Sequence, residues 1–362
     1  MKNKLKLLSF IPLYKLNRAI GWPKLLPLNL TLSISTDCNS RCQTCQIWQK
    51  KENDLTIKEW DKILASIGKS PFWITISGGE PFLQKHLTEL VKKCHHYCQP
   101  AIINIPTNGL LTAIITNEVE KMCRDLDCIQ LIINLSIDGV AEKHDQLRGV
   151  KGNFEKVLST LNNLKKLQQK YTNLTIGIHS VISNYNYQDV DQLFDWALSM
   201  KPNQYITEIA EQRIELATKN QPLTPTYENY SLAINKLIER IKKQNFKGVA
   251  KITEAFRLEY YNNVKKYLKS GKQVIPCYAG IASAQIYCQG EVWECCIEAN
   301  SFGNLRENGY NFPKIWYSKK AKAIRKKVKN GDCGCPLANA SYTNMLFNCR
   351  SLFNVLKNYF TL

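Results

Sequence analysis

The run LTLSISTDCNSRCQTC, residues 30–45, sets an apolar, strand-like segment directly before three cysteines, Cys38, Cys42 and Cys45. Their spacing is C-x3-C-x2-C, with no fourth cysteine or histidine close behind. An iron–sulfur cube normally takes four thiolates, one per iron. Three thiolates hold such a cube and leave one iron open, and an open coordination position lets a metal act on a bound ligand. A structural zinc site would ask for four ligands, usually as two C-x2-C knuckles, so the spacing favours an iron–sulfur cluster.

Working outward, short β-branched runs alternate with longer amphipathic stretches along the first two thirds of the chain, the rhythm of a parallel βα fold. Strands are predicted at LTLSIS (30–35), FWITIS (72–77), AIINIP (101–106), LIINLSI (131–137), LTIGIHSVI (174–182) and QYITEI (204–209). Helical patterns such as IKEWDKILASI, LTELVKKCHHYC and FEKVLSTLNNLKKLQQ lie between them. The predicted fold class is therefore α/β, a partial (β/α)6 TIM-like barrel whose working face is the C-terminal ends of its strands.

Each strand end carries a distinctive residue set. Gly78-Gly79-Glu80-Pro81 follows the second strand and Thr107-Asn108-Gly109 the third. Ser136, Asp138 and Gly139 span the end of the fourth, Ser183-Asn184 follow the fifth, and Glu208 lies near the end of the sixth. Paired glycines let backbone approach a ligand closely, and a carboxylate beside them can accept hydrogen bonds from an ammonium. Ser136, Asp138 and Asn184 could satisfy sugar hydroxyls. One such turn is ordinary loop chemistry; the same pattern at successive strand ends points to a site.

At these positions the chain resembles the radical S-adenosylmethionine (SAM) enzymes. Cys38, Cys42 and Cys45 match the family's cluster motif, and Gly78-Gly79-Glu80-Pro81 its glycine-rich turn. The resemblance spans about residues 28–210. It implies that the open iron of a 4Fe–4S cluster binds the amino and carboxylate groups of SAM. Glu80, with the Gly78-Gly79 backbone, would hold the methionyl ammonium, with Thr107 and Asn108 beside it. Ser136, Asp138 and Asn184 would lie near the ribose. An electron, from a donor such as a flavodoxin or ferredoxin, would cleave SAM to methionine and a deoxyadenosyl radical that takes hydrogen from a substrate. One position departs from the family: the residue before the third cysteine is usually aromatic and packs beside the adenine, and here it is Thr44.

A second cysteine region begins at residue 277 with PCYAGIASAQIYCQGEVWECC. It reads as a hairpin with Gln289-Gly290 at the turn, with thiolates at both ends able to face one cluster. Cys277, Gly290 and Cys295 resemble the auxiliary-cluster domain of the SPASM and twitch branch, and HDQLRGVKGNF, residues 144–154, is similar to sequence in the same branch. A full SPASM pattern would add a C-x2-C knuckle and a second cluster; this chain has Cys333 and Cys335 as C-x-C, and a late Cys349. One auxiliary cluster is expected, on Cys277, Cys295 and Cys333 with Cys335 as fourth ligand, Cys296 and Cys349 being alternatives. Cys288, Cys94, Cys98, Cys123 and Cys128 are expected to be structural. The predicted organisation is an N-terminal basic amphipathic segment at 1–27, the barrel at 28–210, a helical bridge at 211–275, the auxiliary domain at 276–350 and a tail at 351–362.

The 362 residues carry 14 cysteines and a net charge of +19. The early apolar stretch LLSFIPLY is short, holds Pro12 and is followed by Lys15, unlike a secretory leader, so a reducing cytoplasm is expected. The segment KLKLLSFIPLYKLNRAIGWPKLLPL, residues 4–28, is expected to pack on the barrel as a cap; its mixture of cations with Leu, Ile, Phe and Trp makes a lipid interface, and so a membrane-peripheral protein, the alternative. The substrate is expected to be a non-peptide small molecule, anionic or lipid-linked in keeping with the excess of positive charge, with a peptide presented by a separate protein as the alternative. With 37 residues ahead of Cys38, no leader-peptide-recognition domain is expected at that end, which tilts the expectation toward a non-peptide substrate. Candidate substrate contacts are His144, Asp145, Arg148, Glu208 and Glu211, with Asp145 and Arg148 equally readable as a structural ion pair. Two other classes remain: an electron-transfer scaffold, which would want complete four-cysteine ligation, and a zinc-dependent nucleic-acid binder, which has no use for the strand-end residues. Nucleic acid is accordingly not the expected partner.

Overall fold

The computed structural model describes residues 2–362, with side chains described from Ser9 onward except at Val249. The chain opens with helix α1 (Lys2–Ile20) and enters strand β1 (Asn29–Ser33), which runs into the cysteine loop. Helix α2 (Ile57–Ile67) shows how the repeats form. The Thr56 hydroxyl accepts from the Glu59 N–H while the Glu59 carboxylate accepts from the Thr56 N–H, a reciprocal cap. Trp60, Ile63, Leu64 and Ile67 fall on one buried face at helical spacing, and Gly68, at φ +63°, ends the helix.

The repeats continue through β2 (Trp73–Ser77), α3 (Leu87–Cys98), β3 (Ile102–Thr107) and α4 (Thr112–Asp125). Then come β4 (Gln130–Ser136), α5 (Glu142–Arg148), α6 (Asn153–Gln168), β5 (Leu174–Ile182), α7 (Val190–Ser199) and β6 (Gln204–Ile209). Strands β1 to β6 pair in parallel and in sequence order, so their C-terminal ends gather at one end of the sheet. Leu30, Leu32, Ile74, Ile76, Ile103 and Ile105 are fully buried in the same core as Ile63, Val91 and Val119 of the flanking helices. Polar residues alternate with them: Asn134 donates to Asn104 Oδ1 at 2.7 Å, and Gln204 donates to Asn134 Oδ1 at 3.0 Å. The predicted partial barrel is the observed fold.

Beyond β6, helices α8 (Tyr227–Lys242) and α9 (Gly248–Ser270) form the bridge. The chain then makes β7 (Ser283–Ile286), β8 (Glu291–Trp293), β9 (Ser301–Asn304), α10 (Phe312–Trp316), α11 (Lys319–Asn330), α12 (Ala338–Leu346) and α13 (Cys349–Thr361). The expected hairpin is present, with Gly290 at φ +93° in its turn. The sheet does not break at residue 276, however. Strand β7 pairs in parallel with the outer edge of β1, from Asn29 opposite Ser283 to Leu32 opposite Ile286. Among the described residues this gives one nine-stranded sheet, ordered β6-β5-β4-β3-β2-β1-β7-β8-β9. An open barrel leaves the backbone groups of its first strand unpaired, and β7 satisfies them.

Helix α1 lies at the opposite end from the cysteine loop. Its Tyr14 packs with Leu28, Tyr278, Ile281 and Phe347, against residues that precede β1 and β7, and Phe72 just before β2 joins them.

Candidate active site

A cavity of about 230 Å³ opens where the parallel strands end. Cys38, Cys42 and Cys45 border it, with Glu80, Asn108 and Ser136. The cysteine loop is irregular and is held by its neighbours. The Arg41 N–H donates to the Arg148 carbonyl and the Gln43 N–H to the Leu147 carbonyl, both at 2.9 Å, so the end of α5 backs the loop. Gly149, at φ +65°, sits so close that a Cβ there would stand 2.4 Å from the Arg41 carbonyl. Arg148 Nη1 lies 3.7 Å from Cys42 Sγ, and its Nη2 pairs with Asp138 Oδ2 at 2.7 Å. The HDQLRG segment is therefore the buttress of the cluster loop.

The paired glycines serve the same loop. The Gly79 N–H donates to the Ser35 carbonyl and the Glu80 N–H to the Asp37 carbonyl, both at 2.8 Å. A Cβ on Gly78 would stand 2.4 Å from the Ser35 oxygen, and one on Gly79 would stand 2.0 Å from the Asp37 oxygen. Gly78 and Gly79 border the cavity, where a close approach to a ligand was expected, and they approach the stem leading into Cys38 as well.

Glu80 is a buried hub. It accepts from the Thr107 hydroxyl at 2.8 Å, the Asn108 N–H at 2.8 Å and the Phe82 N–H at 3.2 Å. Burial outweighs those bonds and pushes its carboxyl up to about 7. Asn108 Nδ2 donates to Asn39 Oδ1 at 2.7 Å, inside the cysteine loop. Asp138 also borders the cavity, but both its oxygens are engaged, one by Arg148 and the other by the Val181 N–H at 2.8 Å.

Three expected contacts lie elsewhere. Asn184 donates to the Pro222 and Thr224 carbonyls at 2.7 and 3.1 Å and does not border the cavity, because the loop ahead of α8 claims its amide. Asp145 accepts from the Gly152 and Phe154 N–H groups at the start of α6, and Arg148 pairs with Asp138 instead, so the expected Asp145–Arg148 pair is not formed. His144 is fully buried behind the cavity, its Nδ1 accepting from the Asp138 N–H at 3.2 Å, and burial lowers it to about 4. Glu208 and Glu211, by contrast, do border the cavity.

They belong to a network that sequence reasoning saw only in part. His179 Nε2 stands 3.3 Å from Glu208 Oε1, and Arg213 Nη2 lies 3.1 Å from Glu211 Oε2 and 3.8 Å from Glu208 Oε2. Burial raises Glu208, but His179 and Arg213 outweigh it and hold the group below its usual range. At Glu211 burial wins over Arg213, and the carboxyl rises to about 7. Glu211 Oε1 and Arg213 Nε are buried without a hydrogen-bond partner. His179 was legible from the alternation of β5, which puts it beside Ser136 in register. Arg213 had no local signal, since it sits in an irregular strap.

That strap, residues 211–218, links the two cysteine regions. The Gln46 N–H donates to the Leu216 carbonyl at 2.9 Å, next to Cys45, while the Glu215 N–H donates to the Cys296 carbonyl at 3.3 Å. Beyond it, Cys277, Cys295, Cys333 and Cys335 border one small cavity together with Glu294. Cys296 packs with Leu337 and Ala340, Cys288 is buried between Tyr287 and Trp293, and Cys349 is exposed 3.3 Å from Lys15 Nζ. Cys94, Cys98 and Cys123 are core residues, and Cys128 is exposed beside His95.

Both thiol groups fit iron–sulfur clusters. Burial, with the proximity of the other thiols and carboxyls, pushes Cys38 up to about 11 and Cys45 up to about 12; Cys42, Cys277, Cys295 and Cys335 also rise by burial, and Cys333 reaches about 11. Buried thiols this reluctant to ionise are suited to thiolates only when a metal supplies the compensating charge. Glu80 retains capacity for a further hydrogen bond.

A partial barrel with an open three-thiol loop and a second thiol cluster defines an iron–sulfur radical enzyme. The chain belongs to the radical SAM superfamily, matching it over residues 32–197, and matches the SPASM iron–sulfur cluster-binding domain over residues 277–336. Its cofactors are those of the family: a 4Fe–4S cluster, SAM and auxiliary iron–sulfur. It is 27% identical over 304 residues to the Fe-coproporphyrin III synthase of Methanosarcina barkeri, covering 77% of this chain and 71% of that one. It is 30% identical over 175 residues to the sporulation killing factor maturation protein SkfB of Bacillus subtilis, covering 47% of this chain and 39% of that protein. In fold it resembles Streptococcus suis SuiB bound to S-adenosylmethionine, with a TM-score of 0.59 and 15% identity over 83% of this chain and 68% of that one.

Proposed function

We propose that this enzyme removes a hydrogen atom from a substrate held against Glu208, Glu211 and Arg213. Cys38, Cys42 and Cys45 would hold the 4Fe–4S cluster, and Glu80 and Ser136 would contact SAM. When bound, that pair supplies reductive cleavage of SAM to a deoxyadenosyl radical. Cys277, Cys295, Cys333 and Cys335 would hold the auxiliary cluster. Asp138 and Arg148 act through the loop, setting a cation beside Cys42. The observation that carries this reading is that the cysteine loop, the Glu80 hub and the Glu208–Glu211–Arg213 network border a single cavity.

The cavity argues against the anionic substrate that the overall charge suggested. Glu80, Asp138, Glu208 and Glu211 border it, against the guanidinium groups of Arg148 and Arg213. The unpartnered Glu211 oxygen calls for a donor, so the substrate would present an amine or hydroxyl there. Either a small molecule or a peptide side chain offers one, and the partial match to SkfB keeps the peptide as the alternative. The electron would come from a flavodoxin- or ferredoxin-type donor.

The test is anaerobic: reconstituted protein, SAM and a strong reductant, assayed for deoxyadenosine. The wild type should form it and a Cys38/Cys42/Cys45→Ala variant should not. Failure of the wild type with its cluster verified as loaded would reject the reading in favour of an electron-transfer scaffold.

A further inference from the structure

The net charge of +19 is not spread over the molecule. Fourteen of the 49 Lys and Arg, and none of the 30 Asp and Glu, lie in α1, α11 and α13; the rest of the chain, with 35 against 30, is close to neutral. Helix α11 is the extreme case. Lys319, Lys320, Lys322, Lys326, Lys327 and Lys329 are all exposed in 12 residues. Three of them occupy the N-terminal end, where the helix dipole disfavours cations, and neighbours one turn apart repel. Among the described residues none of the six forms an ion pair with an acidic side chain. Such a helix is relieved by an anionic surface brought against it.

Two of these helices, α1 and α13, carry six of the twelve large apolar side chains exposed among the described residues, and Trp22 just after α1 is a seventh. Leu13, Leu16 and Ile20 form an i, i+3, i+7 stripe on α1, continued by Trp22, with Ile20 68% and Trp22 64% exposed. Phe353, Leu356 and Phe360 repeat that spacing on α13, with Phe353 69% and Phe360 76% exposed. The helices touch. Lys15 Nζ reaches Cys349 Sγ at 3.3 Å, and Lys329 Nζ donates to the Ala19 carbonyl at 2.7 Å. The Tyr14 ring packs at a tilt against Phe347, just ahead of α13, with ring centroids 5.5 Å apart.

We infer that α1, α11 and α13 form a docking surface for an anionic phospholipid bilayer. Apolar stripes for the acyl boundary, flanked by lysines and with no carboxylate, match the chemistry of a peripheral membrane face. A nucleic acid would use the lysines but gains little from exposed Ile20 and Leu356, and a protein partner would not require complete exclusion of acidic residues. Because α1 packs at the N-terminal ends of the strands, this face is remote from the cavity and anchors the enzyme without delivering substrate to it.

The probe is flotation with phosphatidylcholine vesicles, with and without phosphatidylglycerol. The wild type should float only with the phosphatidylglycerol vesicles, and less so as salt rises. Replacing Lys319, Lys320, Lys322, Lys326 and Lys327 with Gln should weaken binding by about fivefold per lysine. Ile20→Gln, Trp22→Gln, Phe353→Gln and Phe360→Gln together should abolish it, with thermal midpoint and iron content unchanged in both variants. A wild type that leaves the anionic vesicles unbound overturns the inference, as does an apolar variant that floats as well as the wild type. Neither result bears on deoxyadenosine formation, so this inference and the proposed reaction fail separately.

Discussion

Gly79 and Glu211 show how single residues decide the site. Gly79→Ala would drive a Cβ to 2.0 Å from the Asp37 carbonyl, so the stem of the cysteine loop must move. The expected outcome is a loss of about 1–3 kcal/mol of stability, measured by urea unfolding, and reduced iron uptake on reconstitution. Glu211 makes a pH-dependent contribution. Its folded pKa of about 7 lies above the ordinary 4.5, so the folded protein holds the proton more tightly between those values. Stability from this group is therefore present at low pH and falls as pH rises from about 4.5 through 7. Glu211→Gln removes that titration. In the cofactor-free protein the wild type should lose ground to Glu211→Gln between pH 5 and pH 7.5, read as unfolding midpoints; a constant difference would refute the buried, proton-holding carboxyl. In the loaded enzyme, Glu211→Gln should spare deoxyadenosine formation and impair substrate turnover.

Between elements, the hairpin region is fastened to the barrel through Arg306. It pairs with Glu59 Oε1 at 2.7 Å and donates to the Asn53 and Asp54 carbonyls at 2.8 and 3.0 Å, while the same Glu59 caps α2 and accepts from Tyr310. That bond to Arg306 leads the causes holding Glu59 down at about 2. Arg306→Ala should cost about 2 kcal/mol by thermal or urea unfolding at neutral pH, and the gap from wild type should narrow as pH falls from about 4.5 toward 2, where Glu59 takes a proton. Elements of this kind divide sharply in legibility. Strands β5 and β6 and helices α2 and α3 occur where periodicity places them, because the apolar spacing that buries each of them lies within the element itself, and α2 also carries its own cap. The four thiols that border the second cavity are those the resemblance to the auxiliary-cluster domain pointed to. Arg213 and the function of His144 were not, because their partners come from distant segments that no local pattern connects.

At the scale of the whole molecule, the chain is one sheet with chemistry at one end and charge concentrated in three helices. A protein ending at Ile275 would retain every residue of the first cysteine site yet expose the outer edge of β1, normally covered by β7. Such a truncation should aggregate or fail to take up its cluster, seen by size-exclusion chromatography and iron content. A soluble, iron-loaded product would show that the barrel stands alone. Predicted domain boundaries missed this dependence because residues 283–286 read locally as a hairpin arm and nothing in them names β1 as a neighbour.

The pairing of Asn29 with Ser283 also has a bearing on synthesis. As the chain leaves the ribosome, the strand that carries the cysteine loop is made early, but its outer neighbour emerges only after both bridge helices. Throughout that interval a nascent edge stays open to other chains. Loading iron before the last quarter of the protein has been translated would then place a cluster on an unfinished scaffold, so cofactor insertion should follow release of the chain.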